Sequence, residues 1–179
     1  MPHKRTSAIA HAIRTSSAVL LLALMIGAAA HAQEVPLEYQ VKAVYLFNFV
    51  KFVRWPAPVK PAPITICVAE RNPFGEALQE AIRGEVVEGR QVEARVIRAP
   101  DPACNVVFVP HDVAAKPYLD AARGSSTLLV GEKPDFLAQG GMVNFIIRNG
   151  SVRFEIDGGA AERADLRISS HLLRLARRG

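Results

Sequence analysis

Residues 41–56 read VKAVYLFNFVKFVRWP, and this stretch determines how the folded part of the chain begins. Aliphatic and aromatic residues other than alanine fill ten of its first fifteen positions, and their spacing predicts a helix over residues 37–54. These side chains cover far more than the single stripe that a surface helix needs. A helix with almost no polar side is expected in a protein core, in a membrane or at an interface with another chain.

The polar residues within this helix distinguish these three environments. Lys42 and Lys51 interrupt any membrane span, because charged side chains are costly in hydrocarbon. A small domain covers such a helix with its own sheet on one side only, so we expect the other side to contact a partner protein or a second copy of the chain. The residues predicted to form this dimer or partner interface are Tyr45, Phe49, Phe52 and Trp55.

The residues before the helix have the composition of a secretory signal peptide. A basic start is followed by the apolar run SSAVLLLALMIGAAA, which is shorter than the roughly 20 residues of a membrane span. The sequence AHA at residues 30–32 then offers small residues at the two positions that a signal peptidase reads. We therefore predict a signal peptide over residues 1–32, cleaved near Ala32, and one exported domain over residues 33–179.

The charge balance does not indicate nucleic-acid binding. The chain has 22 Lys and Arg against 17 Asp and Glu, but three of the basic residues and none of the acidic ones lie in the first 32 positions. The predicted mature domain therefore has 19 basic residues against 17 acidic ones, scattered along the chain rather than grouped in one basic tract. We expect no nucleic acid among its partners.

Cys67 and Cys104 are the two cysteines of the chain. In an oxidising compartment such a pair forms a disulfide more often than it stays free, so we predict this disulfide, with two buried free thiols as the alternative. A metal site is not expected, because neither His111 nor His171 adjoins a cysteine in the sequence.

The rest of the chain alternates between strand and helix patterns. After a stiff connector with Pro58, Pro61 and Pro63, Asn72 is predicted to cap a helix that begins at Pro73. A second short helix is predicted over residues 115–123. Short apolar or β-branched runs predict strands over residues 64–70, 91–97, 105–110 and 126–132.

The C-terminal part of the sequence has a different pattern. Asn149-Gly150 lies between two alternating runs and predicts a β-hairpin, because both residues tolerate positive φ. Residues 164–178 then predict an amphipathic terminal helix. Together the patterns indicate an α/β fold: a single layered domain with a central mixed β-sheet, flanking helices and a C-terminal β-hairpin plus helix.

Motifs for catalysis and cofactor binding are absent from the sequence. No Gly-x-Gly-x-x-Gly follows the first strand, and neither a P-loop nor a Gly-x-Ser-x-Gly elbow is present. Ser169, Ser170 and His171 lie side by side on the predicted terminal helix, where neighbours in sequence do not face each other. We therefore predict no catalytic residue, no cofactor and no metal.

A few charged residues are candidates for binding a small ligand or a charged partner. Arg54 adjoins Trp55, where a guanidinium over an indole could clamp a planar group. Arg167 and His171 are four positions apart and are predicted to share one helix face. The full set of candidates is Arg54, Arg153, Glu155, Arg167 and His171.

Six stretches, in their order along the chain, resemble the YfiR family of periplasmic proteins. They are VKAVYLFNFVKFVRWP, ITICVAERNPFG, CNVVFV, TLLVGE with FLAQGGMVNFI, VRFEID and LRISSHLLRLA. The resemblance covers about residues 38–177. Each stretch is short and apolar, so the identification depends on their order over one whole domain.

The resemblance implies a dimeric periplasmic repressor that binds the periplasmic region of an inner-membrane diguanylate cyclase. Such a repressor lowers cyclic di-GMP signalling and biofilm formation, and an outer-membrane lipoprotein that sequesters it is a further implied partner. Cys67 and Cys104 match one disulfide of the family. The second family pair has no counterpart, because no cysteine lies between Ser125 and Gly179. The resemblance therefore implies a structural disulfide here and gives no basis for predicting a redox switch.

Two classes of function follow from these observations. The leading hypothesis is a regulatory binding protein that represses a cyclase by protein–protein contact. The alternative is a periplasmic small-molecule-binding sensor, which a pocket lined by aromatic side chains with one or two charges would support. An enzyme would instead need polar groups that converge at the carboxyl ends of the strands.

Overall fold

The structure is a computed structural model that describes residues 35–56 and 62–177. The predicted signal peptide over residues 1–32 lies outside these residues, and so does most of the predicted proline connector. The domain boundary near Ala32 therefore stays a prediction.

Five helices and nine strands make up the described part of the chain. The helices are α1 (Leu37–Phe52), α2 (Ala77–Ile82), α3 (Lys116–Ala121), α4 (Gly158–Arg163) and α5 (Ser170–Arg177). The strands are β1 (Val53–Arg54), β2 (Ile64–Ala69), β3 (Val86–Val87), β4 (Arg90–Ile97), β5 (Val106–Val109), β6 (Leu128–Gly131), β7 (Val143–Arg148), β8 (Ser151–Ile156) and β9 (Arg167–Ile168).

Seven of these strands form one mixed sheet in the order β3-β4-β2-β5-β6-β7-β8. The five central strands are parallel, whereas β3 and β8 pair antiparallel at the two edges. After β2 the chain forms β4 on one side of β2, and it then crosses over to form β5 and β6 on the other side of β2. The predicted α/β fold with a central mixed sheet is thus confirmed, and ligands in sheets of this kind bind outside the carboxyl ends of the strands.

The central sheet is buried on both faces. Ile64, Ile66 and Val68 of β2 join the larger core cluster with α1 and α2, while Cys67 and Ala69 join the smaller cluster with α3. Because successive side chains of a strand point to opposite faces, one six-residue strand contributes to both cores. Because both faces of the sheet are covered, every residue of β2 is buried, including the polar Thr65.

The predicted hairpin joins β7 and β8. Asn149 and Gly150 form its turn at φ values of 51° and 70°, which is the left-handed region that these two residue types tolerate. On β8, Val152 and Phe154 are buried. The hairpin therefore adds an amphipathic edge strand whose inner side completes the larger core.

The C-terminal segment differs from the single helix predicted over residues 164–178. Arg167–Ile168 is a strand, β9, which pairs antiparallel with β1, and α5 begins only at Ser170. Ser169 stops the helix from extending backwards, since its Oγ accepts the backbone N–H of Leu172 at 3.2 Å in the manner of an N-cap. The prediction that Arg167 and His171 share one helix face is therefore wrong.

The predicted cap at Asn72 is also wrong. Its Oδ1 accepts the backbone N–H of Phe74 at 3.0 Å, but α2 starts only at Ala77. The side chain stabilises a local turn instead, because Asn competes for nearby backbone groups wherever the chain bends.

Candidate functional site

The pairing of β1 with β9 brings three of the predicted ligand-binding residues to the end of α1. Arg54 lies directly opposite Arg167 in this antiparallel pair, and opposite side chains project to the same side. In the first turn of α5, the ring of His171 lies 5.3 Å from the ring of Phe52. We call Phe52, Arg54, Trp55, Arg167 and His171 the β1–β9 surface.

The β1–β9 surface favours a negatively charged group. Two arginines at opposite positions of a ladder repel each other. Arg54 has a partner in Glu88 at 2.9 Å, but both side chains are more than half exposed, and an ion pair of this kind contributes little. A carboxylate or phosphate placed between Arg54 and Arg167 would relieve the repulsion and accept charge-assisted hydrogen bonds.

The four predicted interface aromatics lie at different depths. Phe49 is fully buried in the core of this chain, with its ring 5.1 Å from that of Phe154. Tyr45 is half-buried and packs edge-on against Phe154 at 5.2 Å. Phe52 and Trp55 are half-buried at the β1–β9 surface. Tyr45, Phe52 and Trp55 therefore have surface left for a partner, whereas Phe49 has none and is a core residue rather than the predicted interface residue.

The remaining two candidates lie on the edge strand β8. Arg153 and Glu155 are both exposed on its outer side, opposite Ile146 and Asn144 of β7. The sequence pattern correctly predicted their outward direction. Both residues lie on β8 of the hairpin and are not part of the β1–β9 surface.

A second group of polar residues lies at the carboxyl ends of β5 and β6 and was not predicted from the sequence. Lys42 of α1 is 3% exposed and donates a hydrogen bond to Glu132 Oε2 at 2.5 Å. Glu132 follows β6 directly, and its side chain is 4% exposed. Lys42 also pairs with the carboxylate of Glu38, one turn earlier on α1. A buried charge pair of this kind needs further hydrogen bonds to offset its loss of hydration.

Glu132 receives these further hydrogen bonds at its second oxygen. Its Oε1 accepts the hydroxyl of Tyr39 at 3.1 Å and the backbone N–H of His111 at 2.8 Å. Burial and the adjacent Glu132 carboxylate together raise the pKa of Tyr39 to about 12. The Tyr39 hydroxyl therefore stays protonated, and so remains a donor, throughout the neutral range. Glu132 thus connects α1 to the loop that follows β5.

This polar group forms one wall of an open cavity of about 540 Å³. Phe145, Ile146 and Ile147 of β7 also line this cavity. Asn144 also lines the cavity; it is 1% exposed, and its side-chain Oδ1 has no hydrogen-bond partner. More than nine in ten buried polar groups in proteins have such a partner, so this acceptor is unusual. We call this space the carboxyl-edge cavity.

Two signals in the sequence correspond to this cavity. Lys42 follows Glu38 by four positions in a helix that is otherwise apolar, which places the two charges on one face. Glu132 comes directly after an apolar strand, which is where ligand-binding residues of parallel sheets occur. Neither signal reveals that α1 lies next to the end of β6, because that contact depends on the order of the strands in the sheet.

The predicted disulfide between Cys67 and Cys104 is present, with the two Cα atoms 5.8 Å apart. Cys67 lies on β2 and Cys104 lies just before β5, so the bond joins the two neighbouring strands from which the sheet winds in opposite directions. Both residues are buried in the smaller core cluster beneath α3. The position indicates a structural crosslink inside the core.

Neither a metal-binding cluster nor a membrane-spanning helix lies within residues 35–56 and 62–177. Within these ranges, no group of three or more His, Cys, Asp or Glu side chains could hold a metal ion. No helix in the same ranges has the length and apolar character needed to cross a membrane.

Nearly all of the described domain matches the model of one protein family. The family model described as YfiR/HmsC-like matches residues 39–177, from the first turn of α1 to the last residue of α5. This is a family of periplasmic regulatory proteins rather than of enzymes, linked to diguanylate cyclase signalling. The chain belongs to the YfiR/HmsC-like family.

Proposed function

We propose that this protein is a periplasmic repressor of an inner-membrane diguanylate cyclase, which it inhibits by protein–protein contact with the periplasmic region of the cyclase. The observation that carries the proposal is the family match over residues 39–177. A repressor of this kind carries out no chemistry. It lowers cyclic di-GMP, and with it biofilm formation, because it binds the inactive state of the cyclase more tightly than the active state.

The β1–β9 surface is our proposed contact region. It combines two half-buried aromatic residues, Phe52 and Trp55, with Arg54 and Arg167. Aromatic residues and arginine are the types that contribute most to binding at protein interfaces. We expect the matching surface of the partner to present an acidic side chain next to an apolar pocket. A second copy of the chain or an outer-membrane lipoprotein would compete for the region if it bound there.

Charge reversal at this surface tests the proposal. We expect the double variant Arg54→Glu/Arg167→Glu to bind the purified periplasmic region of the cyclase at least about tenfold more weakly, because each reversal replaces attraction by repulsion. Affinity is measured by calorimetry and the melting temperature on the same samples. Both side chains are exposed, so the fold should be kept.

Arg98→Glu is the matched control, since Arg98 is an exposed arginine outside the β1–β9 surface. It should change the affinity by less than about twofold, as expected of a charge that only contributes to long-range steering. Equal losses in the double variant and in the control would place the contact region elsewhere.

A second candidate function is a small-molecule-binding sensor whose ligand changes its affinity for its partner. The carboxyl-edge cavity favours it, because aromatic and aliphatic side chains there face a small number of buried charges. Its position at the carboxyl ends of parallel strands is also the usual ligand position in sheets of this type.

A further inference from the structure

We propose that the outer edge of strand β8 is a self-recognition surface, through which two copies of the chain pair antiparallel about a two-fold axis. In this pair, Phe154 lies opposite its own counterpart, and Arg153 of each copy lies opposite Glu155 of the other. The two seven-stranded sheets then form one continuous sheet. The inference goes beyond the proposed repression of a cyclase, because it uses neither arginine of the β1–β9 surface.

The first observation is that β8 ends the sheet with a long unpaired edge. β7 lies on one side of it, and no strand within residues 35–56 and 62–177 pairs with its other side. The strand at the opposite end of the sheet, β3, has only two residues. Proteins commonly keep edge strands this short, because a row of free N–H and C=O groups attracts another strand. The six residues of β8 lack this form of protection.

The pairing of β7 with β8 shows which backbone groups point to the open edge. The two-residue turn makes Arg148 and Ser151 the first pair that exchanges backbone hydrogen bonds, and such pairs then alternate along the ladder. The bond from the N–H of Asp157 to the carbonyl of Met142, at 2.9 Å, agrees with this alternation. The residues that direct their N–H and C=O groups away from β7 are therefore Val152, Phe154 and Ile156.

These outward groups have almost no partner within the chain. In the part of the chain that the structure describes, one hydrogen bond is made at this edge, from Nη1 of Arg153 to the carbonyl oxygen of Val152 at 3.2 Å. The Val152 carbonyl is thus within reach of a donor that approaches along the edge. A strand from another molecule would supply a complete row of backbone partners.

The second observation is the order of charges on β8, which selects a second copy of the same strand as the partner. Arg153 and Glu155 are exposed on its outer face, and Phe154 between them is buried on the inner face. When the two-fold axis passes through Phe154, antiparallel pairing places each Arg153 opposite a Glu155. These positions are non-hydrogen-bonded pairs, in which facing side chains are closest, so both pairs are attractive.

Neighbouring registers fail on charge or on hydrogen bonding. An axis through Arg153 places two arginines opposite each other, and an axis through Glu155 does the same with two glutamates. A shift by one residue turns the inner side chains to the outer face and sets outward backbone groups against groups already bonded to β7. In the register centred on Phe154, the pairs that exchange backbone hydrogen bonds are Val152 with Ile156, Phe154 with Phe154, and Ile156 with Val152.

A two-fold pair of this kind is closed. The pairing uses the one long edge of both copies at once, so the assembly stops at two chains. The strand left at each end of the joined sheet is the short β3. Because exposed ion pairs contribute little on their own, we expect a reversible dimer whose population rises with protein concentration.

Single charge reversals test the register. Arg153→Glu places two glutamates opposite each other at both charged positions, and Glu155→Arg does the same with two arginines. We expect each variant to raise the dimer dissociation constant of the purified mature protein at least about tenfold, measured by sedimentation over a range of concentrations. Arg98→Glu is the matched control, since Arg98 is exposed and lies outside β8; it should change the constant by less than about twofold.

Restoring the complementary charges separates recognition from a fault in folding. The double variant Arg153→Glu/Glu155→Arg exchanges the two charges, so it should dimerise within about threefold of the parent. An equimolar mixture of the two single variants should also form dimers, because each charge of one chain then meets the opposite charge on the other. This mixed dimer should be at least about tenfold tighter than the dimer of either single variant alone.

Amide hydrogen exchange, followed residue by residue by NMR, locates the contact. The N–H of Phe154 should become protected as the concentration of the parent rises, and so should those of Val152 and Ile156. The N–H groups of Arg153 and Glu155 point to β7 and should be protected at every concentration. The single charge reversals should lack the concentration-dependent gain.

A parent protein that stays monomeric at every concentration would overturn the proposal, and so would single reversals that leave the dimer unchanged. A double variant and a mixture that associate as weakly as the single variants would contradict the register and overturn it as well. These measurements use the purified protein alone, so their failure leaves cyclase repression untouched. Conversely, a failure of cyclase repression in cells would not alter the dimerisation result.

Discussion

Replacing Glu132 with alanine is expected to lower the free energy of unfolding by about 3–5 kcal/mol, because it leaves the buried ammonium of Lys42 without its buried partner. The magnitude follows from the surroundings of Glu132. Its side chain is 4% exposed and accepts hydrogen bonds from Lys42, from the hydroxyl of Tyr39 and from the backbone N–H of His111. Removing this carboxylate takes the acceptor from the Tyr39 hydroxyl and the His111 N–H, and it leaves the buried ammonium of Lys42 with only the half-exposed carboxylate of Glu38.

Glu38→Ala is the matched control for this prediction. Glu38 pairs with the same ammonium of Lys42, but its side chain is 42% exposed. Lys42 keeps its buried partner Glu132 in this variant, and water can replace the exposed Glu38 carboxylate. The expected loss is therefore below about 1 kcal/mol, in the range of ion pairs with a solvent-exposed member. Urea denaturation of the two variants and the parent protein compares these losses directly. A loss in Glu132→Ala no larger than that in Glu38→Ala would show that Glu132 does not hold the cluster together.

A double variant separates the cost of an unpaired charge from the value of the pair itself. Lys42→Met together with Glu132→Gln removes both charges and keeps an acceptor for Tyr39 and the His111 N–H. We expect this variant to be more stable than Glu132→Ala, because no isolated charge remains buried. A double variant as unstable as Glu132→Ala would assign the loss to packing rather than to charge.

Removal of the disulfide is expected to lower the free energy of unfolding by about 4 kcal/mol, according to the chain-entropy model for a crosslink of this span. The two cysteines are separated by 37 positions in the sequence. The crosslink lowers the conformational entropy of the unfolded chain. In the folded protein it also joins β2 to the segment that leads into β5. The variant to test is Cys67→Ala/Cys104→Ala, measured by thermal and urea denaturation.

Reduction of the parent protein is the matching experiment. Dithiothreitol should destabilise the parent toward the level of the double alanine variant, and it should leave the variant itself unchanged. Each single variant, Cys67→Ala or Cys104→Ala, should lose about as much stability as the double one, because one missing sulfur is enough to remove the bond. Parent and variants that unfold at the same urea concentration in the absence of reductant would contradict the assignment.

Local sequence patterns predicted most of the fold. Three features follow from rules that act over a few residues, and the structure contains all three. They are the helix α1, the strand β2 and the hairpin turn at Asn149-Gly150. The cysteine pair was predictable for a similar reason, since the chain offers only one pairing. In these cases the local preference and the tertiary structure agree.

The differences arise where a distant segment decides the structure. Arg167 and Ile168 lie in an amphipathic pattern, yet pairing with β1 draws them into a strand. Lys42 is an ordinary polar interruption when α1 is considered alone, and it becomes a buried partner of Glu132 only because the strand order brings the end of β6 to α1. The carboxyl-edge cavity could not be predicted for this reason. The charged residues of the β1–β9 surface could be named as binding candidates from their side-chain chemistry alone.

If this YfiR/HmsC-like protein represses a diguanylate cyclase, as we propose, a strain that lacks it should contain more intracellular cyclic di-GMP than its parent. We expect the concentration to rise on deletion, to return to the parental level when the intact gene is restored, and to stay high when the Arg54→Glu/Arg167→Glu variant is exported to the same level. An unchanged concentration on deletion, in cells that express a membrane cyclase with a periplasmic region, would contradict this proposal.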